Sequence, residues 1–281
     1  MEPVVVVVVL VAAVMHAAWN SFVKIGEDRV LTMSMVLAVG GLLGGLLIFP
    51  NAPPAPESWK FIALSAAIHT AYFTLLVVSY RVADLSHAYP LARGSAPLMV
   101  AVGAALFAGE LLSPGEIAGI AVISAGILSL LMSRRYGLDA GWRSIVYPLA
   151  TGATIAGYTV TDGLGVRASG SPGGYIGWLF VVEPLPFLAV VALARRHDIG
   201  PYVRRHWKPG VAGGALSFGA YALVIWALGL GAMAQVAALR ETSVVIAAVI
   251  GTRLLGESFG YRRVVSAMVV VAGVVLLRIA D

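Results

Sequence analysis

Ten apolar runs divide the chain, each about as long as a lipid bilayer is thick. They lie at 3–24, 31–49, 59–80, 86–108, 114–132, 143–166, 173–194, 209–229, 232–255 and 260–278. A helix of about 20 apolar residues crosses the hydrocarbon layer. None of the runs has the strict alternation of a membrane barrel strand, so each predicts a helix. Helices also satisfy their own backbone polar groups, as lipid requires. The expected fold is an all-α membrane protein of ten transmembrane helices. Composition agrees: hydrophobic residues make up 59% and charged residues 12%, with a mean hydropathy of +0.91. Soluble domains carry about 25% charged residues, which excludes an ordinary soluble enzyme and a disordered chain. With ten spans in 281 residues, only short loops remain.

The sequence holds no cysteine. Disulfides, thiolate chemistry and cysteine metal sites are therefore excluded, and no cofactor or metal is expected. The net charge of +5 is carried largely between the apolar runs. In a membrane protein that pattern reports topology, not nucleic acid. The odd-numbered loops hold Arg29, Arg81, Arg134, Arg135, Arg195, Arg196, Lys208 and Arg262. The positive-inside rule places these loops in the cytoplasm and residues 1 and 281 on the outer, periplasmic face of a cell inner membrane. The first run begins Met1-Glu2-Pro3, without Lys or Arg, and is expected to be a retained span, not a signal peptide. Ser113-Pro114-Gly115-Glu116 reads as a helix start with a capping box.

The chain also resembles itself. Shifted by 147 residues, 71–131 lies without a gap on 218–278. The register pairs Arg93 with Arg240, Gly109-Glu110 with Gly256-Glu257, and Gly126 with Gly273. Five spans per copy make the second copy enter from the opposite face. The expected organisation is two inverted five-helix repeats, 1–136 and 137–281, with a site near the midplane between them.

Charged and polar side chains inside spans cost roughly 2.5–3.5 kcal/mol at the helix centre on insertion scales, so they face the bundle interior or a wet cavity. Span 1 carries His16, Trp19 and Asn20 on one face. Span 3 carries His69 and Tyr72, and span 4 carries Tyr89 and Arg93 between Pro90 and Pro97. Tyr158 and Asp162 share a face of span 6, with Asp162 expected near the solvated outer end. Trp178 and Glu183 lie in span 7, Trp226 in span 8, and Gln235 and Arg240 in span 9. These residues are the predicted substrate-binding set. Arg93 or Arg240 would take an anionic group, Glu183 a cation, and the aromatic rings a variable side chain. Glu183 would pair with Arg93 or Arg240, and Asp162, Glu183 and His69 are candidates for coupling to protons. Arg240 and Glu241, being adjacent, are expected to point apart. Glu110 and Glu257 are assigned to the helices that follow them. Gly40, Gly41, Gly44 and Gly45 are read as a helix-packing surface.

The His16-Ala-Ala-Trp19-Asn20 run, the Tyr89-Pro90-Leu-Ala-Arg93-Gly-Ser-Ala-Pro97 segment and the two Gly-Glu helix ends resemble the drug/metabolite transporter superfamily of the ten-span EamA type. In layout the chain is most similar to the YddG-like amino acid exporters, although Leu91 stands where that group has a tryptophan. The resemblance implies a secondary transporter that exports amino acids or related small metabolites by alternating access. Small organic anions such as phosphonates or sulfonates are the alternative solute class. A non-transporting receptor or scaffold is the alternative of a different kind. No enzyme motif occurs, and no phosphate-binding loop supports ATP-driven transport. The expected partners are a small-molecule substrate and the bilayer, with no nucleic acid, and the expected state is a monomer.

Overall fold

The computed structural model describes residues 1–82, 85–129, 141–246 and 261–280, and these form helices joined by short turns. The helices are α1 (Pro3–Ile25), α2 (Arg29–Ile48), α3 (Trp59–Val82), α4 (Leu85–Ala108), α5 (Pro114–Leu128), α6 (Arg143–Ala168), α7 (Pro172–Val182), α8 (Leu185–Ala194), α9 (Arg196–Leu230), α10 (Met233–Arg240) and α11 (Tyr261–Ile279). Among the described residues, six segments are long and apolar enough to cross a membrane: Pro3–Val23, Arg29–Ile48, Pro56–Leu76, Ala88–Ala108, Pro172–Ala194 and Arg196–Leu230.

Helix starts follow local chemistry. Asp28 caps α2, its carboxylate accepting from the Val30 and Leu31 N–H groups at 2.9 and 3.1 Å. At α5 the capping box is formed in both directions: Ser113 Oγ accepts from the Glu116 N–H, and Glu116 accepts from the Ser113 N–H. Each bond satisfies a donor that the first helical turn leaves unpaired.

Three spans depart from the sequence expectation. The run 173–194 is broken at Glu183-Pro184 into α7 and α8. Pro184 and Pro186 each lack the N–H that would continue the ladder. Helix α9 begins at Arg196, ahead of the expected 209, and bends at His206, where φ is −119° and ψ 17°. Pro209, three residues on, cannot donate to the preceding turn. In the ninth run, α10 ends at Arg240 and helix resumes at 242. The remainder of that run from 247, the Glu257 half of the repeated Gly-Glu pair and the 136/137 repeat boundary lie outside the described residues.

Polarity is arranged inside-out. Helix α6 carries Thr151, Thr159, Thr161 and Asp162, all buried, and packs against both α3 and α4. Large apolar side chains point outward instead, among them Val7, Leu42, Leu46, Leu193, Val271 and Val275. That is the pattern expected where the surrounding medium is apolar.

The most extensive helix contacts join a helix before residue 129 to one after residue 142: α5 with α11, α3 and α4 with α6, α1 with α9, and α2 with α7 and α9. Small residues permit the closest approaches. A Cβ on Gly126 would lie 3.0 Å from the Val270 nitrogen, and one on Gly273 would lie 2.8 Å from the Ile123 nitrogen. The glycines of α2 also serve packing: Gly40 and Gly44 lie against the Phe180 side chain of α7.

Each end of the bundle is tied. At one end Arg278 donates to the Met1 carbonyl at 2.6 Å, and Glu110 meets Arg167 at 2.6 Å. Glu110 also accepts from the Met233 N–H at 2.8 Å, so it caps α10 and not the helix that follows it. At the other end Arg195 holds Asp28 at 2.9 Å, and the Tyr202 and Thr32 hydroxyls lie 2.7 Å apart.

Candidate functional site

Between these ends α3, α4, α6, α7, α9 and α10 bring together a buried group of charged and aromatic side chains. On its acidic side, Asp162 of α6 is fully buried. It accepts from the Tyr175 hydroxyl at 3.0 Å and the Tyr221 hydroxyl at 2.5 Å. The expected solvated position at the outer end is therefore corrected. Asp162 faces α7 and α9, and two phenol donors replace its water.

Glu183 closes α7 just before the proline break. Its Oε1 lies 3.8 Å from His69 Nε2. His69 Nδ1 lies 3.0 Å from the Ser65 carbonyl and 3.2 Å from the Ser65 hydroxyl, so it can donate to the first or accept from the second. In the tautomer that donates to the carbonyl, a neutral imidazole turns its Nε2 lone pair toward Glu183. Two electron-rich groups repel each other, and a proton on either one turns the contact attractive. Glu183 meets neither Arg93 nor Arg240 as an ion-pair partner among the described residues, which corrects the expected pairing.

The basic side uses a different acid. Arg93 of α4 places Nε 2.7 Å from Glu241 Oε2, and its Nη2 lies 3.4 Å from Ser243 Oγ. Arg240 Nε is 3.8 Å from the other carboxylate oxygen. The adjacent pair was expected to point apart. It converges loosely at the C-terminal end of α10, where the Glu241 backbone is still in the right-handed helical region.

Tyr158 of α6 joins the two sides. The His69 ring stacks on it at 4.1 Å and 17°. Tyr72 and Tyr221 each present an edge at 5.7 Å. The Arg240 guanidinium lies 5.9 Å from its ring centroid, in cation–π range.

Of the other expected site residues, His16 of α1 and Tyr89 of α4 lie within charge range of Arg93 and Arg240, and the rest line neighbouring packing. On α1 the His16 and Trp19 rings meet edge to face at 5.3 Å, and Asn20 donates back to the His16 carbonyl at 2.8 Å. Trp178 packs on Trp59 at 5.0 Å. Tyr89 and Trp226 pack against the main apolar core. Gln235 donates to Glu116 of the α5 capping box, beside an apolar cavity of about 250 Å³ lined by Met1, Val6, Leu239, Leu277 and Arg278. That larger cavity is away from the charged group. The cleft that reaches Glu183, between Gly40, Phe180 and Ser217, holds only about 10 Å³.

Tyr221, Ser65 and Ser243 were missed by sequence reasoning. Tyr221 is a tyrosine in an otherwise apolar and small-residue span, a signal that polarity within the run could have raised. Ser65 meets His69 with both its carbonyl and its hydroxyl, at 3.0 and 3.2 Å, one helical turn before it.

Residues 142–279 match the EamA-like transporter family. The EamA-like region begins at the threshold of α6 and runs through α11, so it contributes Tyr158, Asp162, Glu183, Arg240 and Glu241. A solved crystal structure shares the fold over nearly the whole chain: TM-score 0.73, 19% identity, covering 98% of this chain and 96% of that chain. No curated protein matches. Proteins of the EamA-like family are membrane transporters of small molecules and are not in general enzymes.

Proposed function

We propose that the protein is a secondary transporter that exports amino acids or related small metabolites across a cell inner membrane by alternating access. Ten spans form two inverted repeats, 1–136 and 137–281, with residues 1 and 281 on the outer face. One observation carries this reading: charged side chains from both halves meet, buried, around the His69–Tyr158 stack. In lipid such a group is costly and marks a solute or ion path.

The packing supports the repeat. Under the 147-residue shift Gly126 corresponds to Gly273 and Ile123 to Val270. Gly126 lies against Val270 and Gly273 against Ile123, the reciprocal contact that a two-fold relation requires. The pairs α3–α6 and α1–α9 exchange under the same relation. Guanidinium and carboxylate groups suit the two ends of a zwitterion, and the aromatic rings suit a variable side chain. Small organic anions are the second reading, favoured by two arginines sharing one glutamate.

Counterflow in proteoliposomes tests the proposal, with labelled neutral, aromatic, acidic and basic amino acids and protein-free liposomes as control. Exchange of several amino acids is the expected result. Folded, reconstituted protein that exchanges none of them would remove the amino acid reading. Flux of phosphonates or sulfonates instead would establish the second.

A further inference from the structure

Arg93 and Arg240 hold matching places in the repeat, yet their surroundings differ. Arg93 has Glu241 at 2.7 Å and Ser243 beside it. Arg240 is equally buried, but Glu241 is 3.8 Å away, and its Nε and Nη2 have no hydrogen-bond partner among the described residues; Arg93 Nε and the Glu241 oxygens, although 2.7 Å apart at their nearest, are likewise not aligned as a hydrogen bond. Those two nitrogens form one edge of the guanidinium, the fork that matches the two oxygens of a carboxylate. The other buried acids face elsewhere: Asp162 takes the tyrosines, and Glu183 faces His69. Two guanidiniums therefore share one adjacent carboxylate. A buried cation without close neutralisation is costly, and its unfilled donors add to that cost.

We propose that Arg240, and not its repeat mate Arg93, is the anion-binding residue of the site, taking a solute that bears a single carboxylate on its Nε–Nη2 edge. Arg93 and Glu241 form the strut that holds this edge in place. Arg240's contact with Tyr158 sets the solute carboxylate beside the aromatic stack. The inference rests on the transporter reading and specifies its solute chemistry.

The test is thermal stabilisation of purified full-length protein in detergent by matched probes: leucine, leucinamide and 4-methylpentanoate, then phenylalanine, phenylalaninamide and 3-phenylpropanoate. In at least one series the two carboxylates are expected to stabilise the wild type and the amide is not. Arg240→Gln is expected to weaken carboxylate binding about tenfold or more. Arg240→Lys, which keeps the charge but loses the fork, is expected to lie between and guards against a variant that fails to fold. Amides binding as well as acids, unchanged carboxylate affinity in Arg240→Gln, or no stabilisation of folded wild type by any carboxylate would each overturn the assignment. Liposome exchange separates the two levels: amides or amines exchanged without carboxylates would refute the Arg240 assignment and keep the transporter, whereas exchange of no solute would remove both.

Discussion

Arg93 of α4 and Glu241, the residue that ends α10, place a guanidinium nitrogen and a carboxylate oxygen 2.7 Å apart inside the bundle. The contact ties the first half of the chain to the second at a depth where neither charge meets water. Removing Arg93 leaves buried Glu241 with only the looser Arg240 contact, and removing Glu241 leaves two buried guanidiniums without an adjacent carboxylate. Arg93→Ala is expected to cost about 3–5 kcal/mol, and the Arg93→Ala/Glu241→Ala double variant less than the sum of the singles. Melting temperatures of the four proteins in one detergent check this. Additive losses would mean that the two groups act independently.

Asp162 depends on two phenols. Tyr175→Phe and Tyr221→Phe each remove one donor to a buried carboxylate, a loss of about 1.5–3 kcal/mol. Asp162→Asn keeps the shape and removes the charge, so adding Tyr221→Phe to it is expected to do less harm than Tyr221→Phe alone. Equal harm in both backgrounds would show that the hydroxyl serves something other than Asp162.

Glu183 and His69 face each other at 3.8 Å, and the position of one proton decides whether that contact repels or attracts. If that proton couples to transport, Glu183→Gln retains counterflow exchange but loses accumulation driven by a pH gradient. Flux assays with and without an imposed gradient separate the two. A variant that still accumulates solute under the gradient would remove Glu183 from the coupling path.

At the tied end of α2, Asp28 has opposing influences. Partial burial pushes its carboxyl up, but the Leu31 N–H, the Arg195 guanidinium and the Val30 N–H together hold it below its ordinary value. A depressed carboxyl stabilises the fold above the ordinary carboxylate range, and that contribution is lost as pH falls through the folded value. Stability measured from pH 7 downward should therefore decline at this site only in acid. Asp28→Asn keeps a helix cap and should flatten that part of the profile, while Asp28→Ala should cost about 1 kcal/mol at neutral pH from cap loss. Identical profiles for the wild type and Asp28→Asn would exclude Asp28 as the cause.

Much of the architecture could be read from the chain. Run lengths gave the helices, because apolar length is set by the medium. The Ser113–Glu116 box and the prolines after Glu183 marked boundaries, because capping and missing N–H groups act within one turn. The 147-residue shift singled out Gly126 and Gly273 before their reciprocal contacts were visible.

Partner choice lay beyond it. Helical periodicity says which residues share a face, but not which neighbour that face meets. It grouped Tyr158 with Asp162, yet gave no sign that Tyr221, far along the chain, would hold the same carboxylate. It set Arg240 and Glu241 on different sides of one helix, yet their long side chains approach to 3.8 Å. It left Arg93 and Arg240 equivalent by symmetry. Only the tertiary packing set Glu241 at 2.7 Å from Arg93 and 3.8 Å from Arg240, because the placement of α4 beside the end of α10 fixes those distances and periodicity along one helix does not.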